Sequence, residues 1–373
     1  MPTGDDRTAR RSRRSRVVKW LRHGLVIFVV VLVVEFLAVP KLVGASKHLD
    51  LLAKLNAGWL IAGVVLEAGS FLCYALLTRT LLPSGGPGLS RLIRIVFSTT
   101  AISHVIPGGA VGSAGLGYRL LTAEGVDGPD VGFVLATEAV GSAVVLNALL
   151  WLALLVSIPL AGLHPVYVAV ALLGVLGLFA ATALVYTFTR GEERSVRVVR
   201  GLGRRIPRVG ADRLERIVRQ VGDSVGDLWH DRPTFRRALL WAALNWLLDA
   251  ASLWSFLAAL GRFVDPFELF AAYGIANVLA AIPITPGGLG IIEASAGALL
   301  VSFGVPGSIT TYGVLGWRLV NYWLPIPIGA GTYISLRLPR GSRLRASRSA
   351  LAKMADDAKH LPTGEPGADE VGS

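Results

Sequence analysis

The chain has 373 residues, of which 53% are hydrophobic and only 17% charged, with a mean hydropathy of +0.58. Its apolar residues gather in runs long enough to cross a bilayer, which excludes a soluble globular domain and defines a polytopic membrane protein. The net charge of +12 then reports topology and anionic lipid before nucleic acid, and the lone Cys73 excludes an intrachain disulfide or a cysteine-built zinc site.

Residues 1–22 carry eight Lys or Arg and little to bury, so they read as a disordered cytoplasmic tail lying against anionic lipid. No base-stacking aromatic pattern accompanies them, and no nucleic-acid partner is expected. Residues 24–39 form the first apolar run, read as an uncleaved span; a cleaved signal peptide is the competing reading. Residues 59–77 return to the cytoplasm with Glu67 at mid-span. Residues 92–121 hold two short apolar arms around Ile-Pro-Gly-Gly-Ala-Val-Gly, with breaks at Pro107, Gly108, Gly109 and Gly112. Each arm is too short to cross, so this segment reads as a re-entrant hairpin. After an acidic loop, residues 131–158 cross outward with Glu138 and Asn147.

Residues 166–188 come back in. Residues 190–237 carry thirteen arginines against seven acids, which places them in the cytoplasm. Apolar residues from Leu214 to Leu228 recur there at helical spacing, the pattern of an amphipathic helix that lies on the membrane or packs on the spans. Residues 238–260 cross outward, with Asn245 and Asp249 one turn apart on one face. Residues 266–303 form a second broken hairpin, Ile-Pro-Ile-Thr-Pro-Gly-Gly-Leu-Gly-Ile-Ile-Glu-Ala, with breaks at Pro283, Pro286, Gly287, Gly288 and Gly290 and with Glu293 directly after them. Residues 309–336 cross inward and carry Arg318, Asn321 and Tyr322, followed by Pro325 and Pro327, which are expected to kink the helix. The tail from residue 337 is basic, then polar.

The two breaks match in spacing. Aligning Pro107-Gly108-Gly109 with Pro286-Gly287-Gly288 puts Gly125-Val126 on Gly304-Val305. Arginine placement gives six full crossings and two opposed hairpins: an all-α membrane protein with a first repeat over 23–158 and a second over 159–336, both termini in the cytoplasm of a cell membrane. The hairpin tips should meet near the bilayer middle beside a cavity. Arg119, Glu138, Glu293, Arg318 and Tyr322 are the candidate substrate-binding residues, with Glu67 and Asp249 as further buried ionisable groups. In one reading Arg119 and Arg318 hold an anionic headgroup; in the other they form internal pairs, Arg119 with Glu138 and Arg318 with Glu293.

These motifs, with Arg318…Asn321-Tyr322-Trp323-Leu324-Pro325, resemble the lysylphosphatidylglycerol synthase transmembrane-region family, also called flippase-like proteins. The resemblance spans about residues 20–338. It implies a membrane region that moves lipid, here without an aminoacyl-transferase domain, and so no enzyme. The expected function is translocation of an anionic or glycosylated lipid headgroup, with anionic or polyprenyl-linked lipids as partners. The alternative is a non-transporting scaffold for an envelope glycosyl- or acyltransferase, docking through residues 190–237. Scattered histidines and the absence of a phosphate-binding loop argue against a metal site, a cofactor or an ATP-driven pump.

Overall fold

The computed structural model describes residues 55–106, 108–161, 231–281 and 285–337. The basic tails, the first apolar run, the span expected at 166–188 and the amphipathic stretch lie outside these residues, as do Pro107 and Pro283. All regular structure among the described residues is helical: α1 (Ala57–Leu81), α2 (Leu89–Val105), α3 (Gly109–Ala123), α4 (Gly128–Ala161), α5 (Arg232–Ala259), α6 (Pro266–Ala280), a 3₁₀ turn (Pro286–Gly288), α7 (Ile291–Ser302), α8 (Gly307–Arg318), a π turn (Leu319–Trp323) and α9 (Pro325–Arg337). Three stretches, Ala57–Leu81, Gly128–Val156 and Arg232–Ala259, are long and apolar enough to cross a membrane.

Polarity is distributed as hydrocarbon demands. Ile61, Val65, Val111 and Leu155 are each more than half exposed, whereas Glu67, Asp249, Ser252 and Arg318 are buried. In lipid the apolar groups face outward, and charged groups must find partners inside the bundle.

α1 and α5 form the central pair, and they run antiparallel. The Asn56 side chain caps α1, accepting from the N–H groups of Gly58 (2.9 Å) and Trp59 (3.3 Å). Its own N–H donates to the Ala259 carbonyl at the far end of α5 (3.0 Å), so the start of one helix meets the end of the other. Close approach follows from small residues: Gly63 of α1 and Gly316 of α8 face the Phe256 ring, and Gly313 of α8 faces Leu257. α5 starts already at Arg232, earlier than the charge pattern suggested. Asp231 accepts from the Thr234 N–H (3.3 Å) and a proline lies in the first turn, two signals that start a helix inside the arginine-rich segment.

Both broken hairpins are present, α2–α3 and α6–α7, and they close in the same way. α3 ends with Gly125 at φ +94° and a Val126 N–H that donates to the Leu121 carbonyl (3.3 Å). α7 ends with Gly304 at φ +81° and a Val305 N–H that donates to Leu300 (3.0 Å). This is the left-handed glycine cap that satisfies a helix's last carbonyls, and the valine after it is buried both times. An arginine then clasps each base. Arg91 at the start of α2 pairs with Glu124, and Arg262, just ahead of α6, donates to the Gly304 carbonyl (3.4 Å). The matched spacing in the sequence therefore corresponds to a matched structural device.

In the last segment regular α-helix is interrupted directly ahead of the prolines. The irregularity is the π turn, where the Leu324 N–H donates to the Leu319 carbonyl five residues back (2.9 Å). Pro325 and Pro327 have no N–H to give, and the wider turn ahead of them absorbs the mismatch. Beyond it α9 packs antiparallel on α2: Gly329 abuts the Phe97 carbonyl, and the hydroxyls of Ser98 and Thr332 lie 3.1 Å apart.

Candidate functional site

The end of α8 and the π turn after it bring three side chains, Arg318, Asn321 and Tyr322, to the place where the two hairpin breaks meet. The Tyr322 hydroxyl donates to the His104 carbonyl, just before the first break (2.6 Å), and to the Pro286 carbonyl in the second (3.3 Å). The His104 ring stacks on Tyr322, with centroids 4.5 Å apart, and its Nδ1 lies 3.0 Å from the Tyr322 carbonyl. A carbonyl only accepts, so Nδ1 carries the proton. Gly287 sits against both rings: at φ +52°, a Cβ there would come within 2.6 Å of the Tyr322 ring and 2.9 Å of His104. Only glycine permits that approach.

Arg318, 1% exposed, carries the charge of this junction. Its Nε pairs with Glu293 Oε1, Nη2 donates to the Gly287 carbonyl (3.4 Å), and the guanidinium lies 4.2 Å from the Tyr322 ring centroid. Glu293 has a second anchor, because its Oε2 accepts from the Gly290 N–H at the start of α7 (2.6 Å). A carboxylate in the first turn of a helix also faces the positive end of the helix dipole.

A second buried polar group lies alongside, between α1, α5 and the π turn. Asn321 Nδ2 donates to Glu67 Oε1 (3.0 Å) and to Asp249 Oδ1 (3.1 Å). Asp249 also accepts from Trp317 Nε1 (2.7 Å) and, on Oδ2, from the Tyr273 hydroxyl (2.8 Å). The seam continues along α1 and α5. Ser252 Oγ donates to the Gly63 carbonyl (2.9 Å), and Asn245 Nδ2 donates to Ser70 Oγ (2.8 Å). Positions 63, 67 and 70 face positions 252, 249 and 245, the three- and four-residue steps of two antiparallel helix faces.

The candidate residues from the sequence thus divide. Glu293, Arg318 and Tyr322 come together with Pro286 and Gly287, and the expected Arg318–Glu293 pair is present. The expected Arg119–Glu138 pair is not. Arg119 is exposed on α3, two residues from both Gly117 and Leu121, which are buried; that step turns it to the opposite side of the helix. Glu138 is buried on α4, where it accepts from the Tyr74 hydroxyl (3.4 Å). Gly108 begins the first break at φ +66°; Gly109 abuts the Ser103 backbone, and Gly112 faces Ile102. Gly288 and Gly290 complete the second break. Sequence reasoning missed Trp317 and Tyr273 as partners of Asp249. The Asn245–Asp249 step on one face, with Glu67 in the facing span, is the sequence signal that points to their seam.

A helical bundle with an apolar exterior, charged groups inside and two broken hairpins meeting on one late helix is an integral membrane protein built around its interior polar junction. The model of the family described as the lysylphosphatidylglycerol synthase TM region matches residues 23–329, and the chain belongs to that family. It is also similar to a UPF0104 membrane protein of Methanothermobacter thermautotrophicus, 25% identical over 175 residues that cover 44% of this chain and 52% of that protein. The chain thus spans about half the length of the curated relative it matches. These likenesses place it among integral membrane proteins.

Proposed function

We propose that the protein is a lipid translocator, which passes an anionic or glycosylated lipid headgroup between the leaflets of a cell membrane with both termini cytoplasmic. The observation that carries this reading is the junction itself. One side chain, Tyr322, bridges both hairpin breaks, and a buried guanidinium, Arg318, lies beside it. Paired Gly/Pro-interrupted segments in the two halves of a membrane protein are where transporters place their substrate.

The chemistry suits a phosphate. Arginine presents donors in a planar fork that matches phosphate oxygens. An incoming headgroup competes with Glu293 for Arg318. Glu293 does not become an orphan when displaced, since the Gly290 N–H still holds it. The exchange is therefore reversible, which transport requires. Arg119, exposed toward the base of the first hairpin, suits a first contact with headgroups before they reach Arg318.

Two measurements on the purified full-length protein test this. Mass spectrometry of retained lipid should find one headgroup class enriched over bulk and lost in Arg318→Ala. Proteoliposomes with fluorescent phosphatidylglycerol should show leaflet exchange that Arg318→Ala abolishes and Arg119→Ala slows. Unchanged exchange in an Arg318→Ala protein that still folds would refute the proposal.

A further inference from the structure

Two carboxyl groups, Glu67 (1% exposed) and Asp249 (8% exposed), lie side by side in the membrane interior and share a single amide group, the Nδ2 of Asn321. Counting donors separates their roles. Asp249 accepts from Asn321, Trp317 and Tyr273, a set suited to an ionised carboxylate. Glu67 accepts a hydrogen bond from Asn321; the Ser252 hydroxyl and the Asp249 carboxyl lie beside it, and Glu67 Oε2 is buried without a hydrogen-bond partner among the described residues. A charged oxygen left bare at that depth is costly. A protonated one is not, and like charges so close together do not both persist. The other titratable or charged groups facing the pair are Tyr273, from α6, and Arg318, from α8, whose charge reaches Asp249. Arg318 is already held by Glu293, so it does not serve as the counter-ion for both carboxyls.

We propose that Glu67 and Asp249 form a proton-binding site, with the exchangeable proton on Glu67, and that Asn321 transmits its occupancy to the hairpin junction. A proton arrives from water on one side of the membrane, binds Glu67 Oε2, and leaves to water on the other. When Glu67 releases it, two negative charges compete for one amide. Asn321 belongs to the π turn that also carries Tyr322 and that follows directly on Arg318. A shift of Asn321 therefore acts on the tyrosine that bridges the two breaks and on the arginine beside it. Asn321 is a positioning residue here; the proton itself resides on the carboxyls. The inference rests on the translocator reading and names the ion that would drive it.

The test has two arms, so that the site and the transport reading can fail separately. In the first, infrared difference spectra of the full-length protein in lipid are recorded between acid and alkaline pH. A protonated-carboxyl stretching band is expected in the wild type. It should vanish in Glu67→Gln, shift in Asp249→Asn, and persist in Asn321→Ala. Glu67→Gln keeps the shape of the protonated acid, and size-exclusion profiles confirm folding. No carboxyl band lost in Glu67→Gln overturns the proposal whatever the transport result.

In the second arm, exchange of fluorescent phosphatidylglycerol is followed in vesicles with equal pH on both sides. The wild-type rate should change by up to about tenfold per pH unit on the limb where the proton limits, and the profile should flatten in Glu67→Gln and in Asn321→Ala. An unchanged profile in Glu67→Gln overturns the coupling. If the wild type moves no probe at any pH while the infrared band behaves as expected, the proton site stands and the translocator reading falls.

Discussion

Replacing one member of the Arg318–Glu293 pair at a time should produce unequal losses of stability. Arg318 is 1% exposed and Glu293 13%. Glu293→Gln removes the paired negative charge and leaves the buried guanidinium with neutral acceptors and rings, the Gly287 carbonyl, Tyr322 and Trp317, and with only the more distant Asp249 to offset its charge. An uncompensated charge at that depth costs about 3–5 kcal/mol. Arg318→Met leaves the carboxylate with the Gly290 N–H and some access to solvent, while methionine fills much of the volume. The expected cost is lower, about 1–3 kcal/mol, the range for a buried acceptor losing its partner. The double variant should fall well short of the summed losses, because neither charge remains to be desolvated. The assay is unfolding in mixed micelles with a graded denaturing detergent, read by the change in tryptophan fluorescence. Additive losses, or a larger loss from Arg318→Met than from Glu293→Gln, would refute the assignment of these two groups as each other's partners.

Other outcomes follow from the packing. Gly329→Ala should destabilise by about 1–3 kcal/mol, the cost of overpacking, since the new methyl meets the Phe97 carbonyl; Gly331→Ala, with open space around it, should be neutral or slightly stabilising in the same unfolding assay. Gly125→Ala and Gly304→Ala each place a side chain at a left-handed backbone position, and each should cost about 1–2 kcal/mol. Tyr322→Phe leaves the His104 and Pro286 carbonyls without their hydroxyl, so hydrogen exchange should quicken at residues 285–290 while the base of the hairpin keeps its protection. Asp231 is held below the ordinary aspartate range by its hydrogen bond to Thr234. Its cap therefore stabilises α5 above that range and is lost as pH falls through the depressed value; Asp231→Asn keeps a cap and should remove this part of the acid sensitivity.

Much of this architecture is legible in the sequence. Broken segments in apolar surroundings mark both hairpins, and the eighteen-residue spacing from proline to Gly-Val reappears as a shared cap at Gly125 and Gly304. The Arg318–Glu293 pair is legible because a buried arginine needs a partner and the nearest acid follows a break. Arg119 is harder to read. Its type and depth resemble those of Arg318, and only the phase of α3 separates them; with glycine, alanine and serine making up about half of that helix, no apolar stripe reports the phase. The partners of Asp249 are hidden for another reason. Trp317 and Tyr273 look like ordinary core aromatics until the bundle turns their N–H and O–H groups onto one carboxylate. The irregularity expected from Pro325 and Pro327 falls in the turn just ahead of them, which widens to accommodate the missing N–H groups.

That wider turn also sets the rotational phase of the last helix. Its upstream half docks on α5 through Gly313 and Gly316, and its downstream half docks on α2 through Gly329. An ordinary α-helix advances about 100° per residue, so removing one residue from Leu319–Trp323 would swing the Gly329 face by about that angle away from α2. The extra residue thus acts as a spacer in angle rather than in length. It lets a single helix serve two neighbours that a regular helix of the same sequence would present out of register.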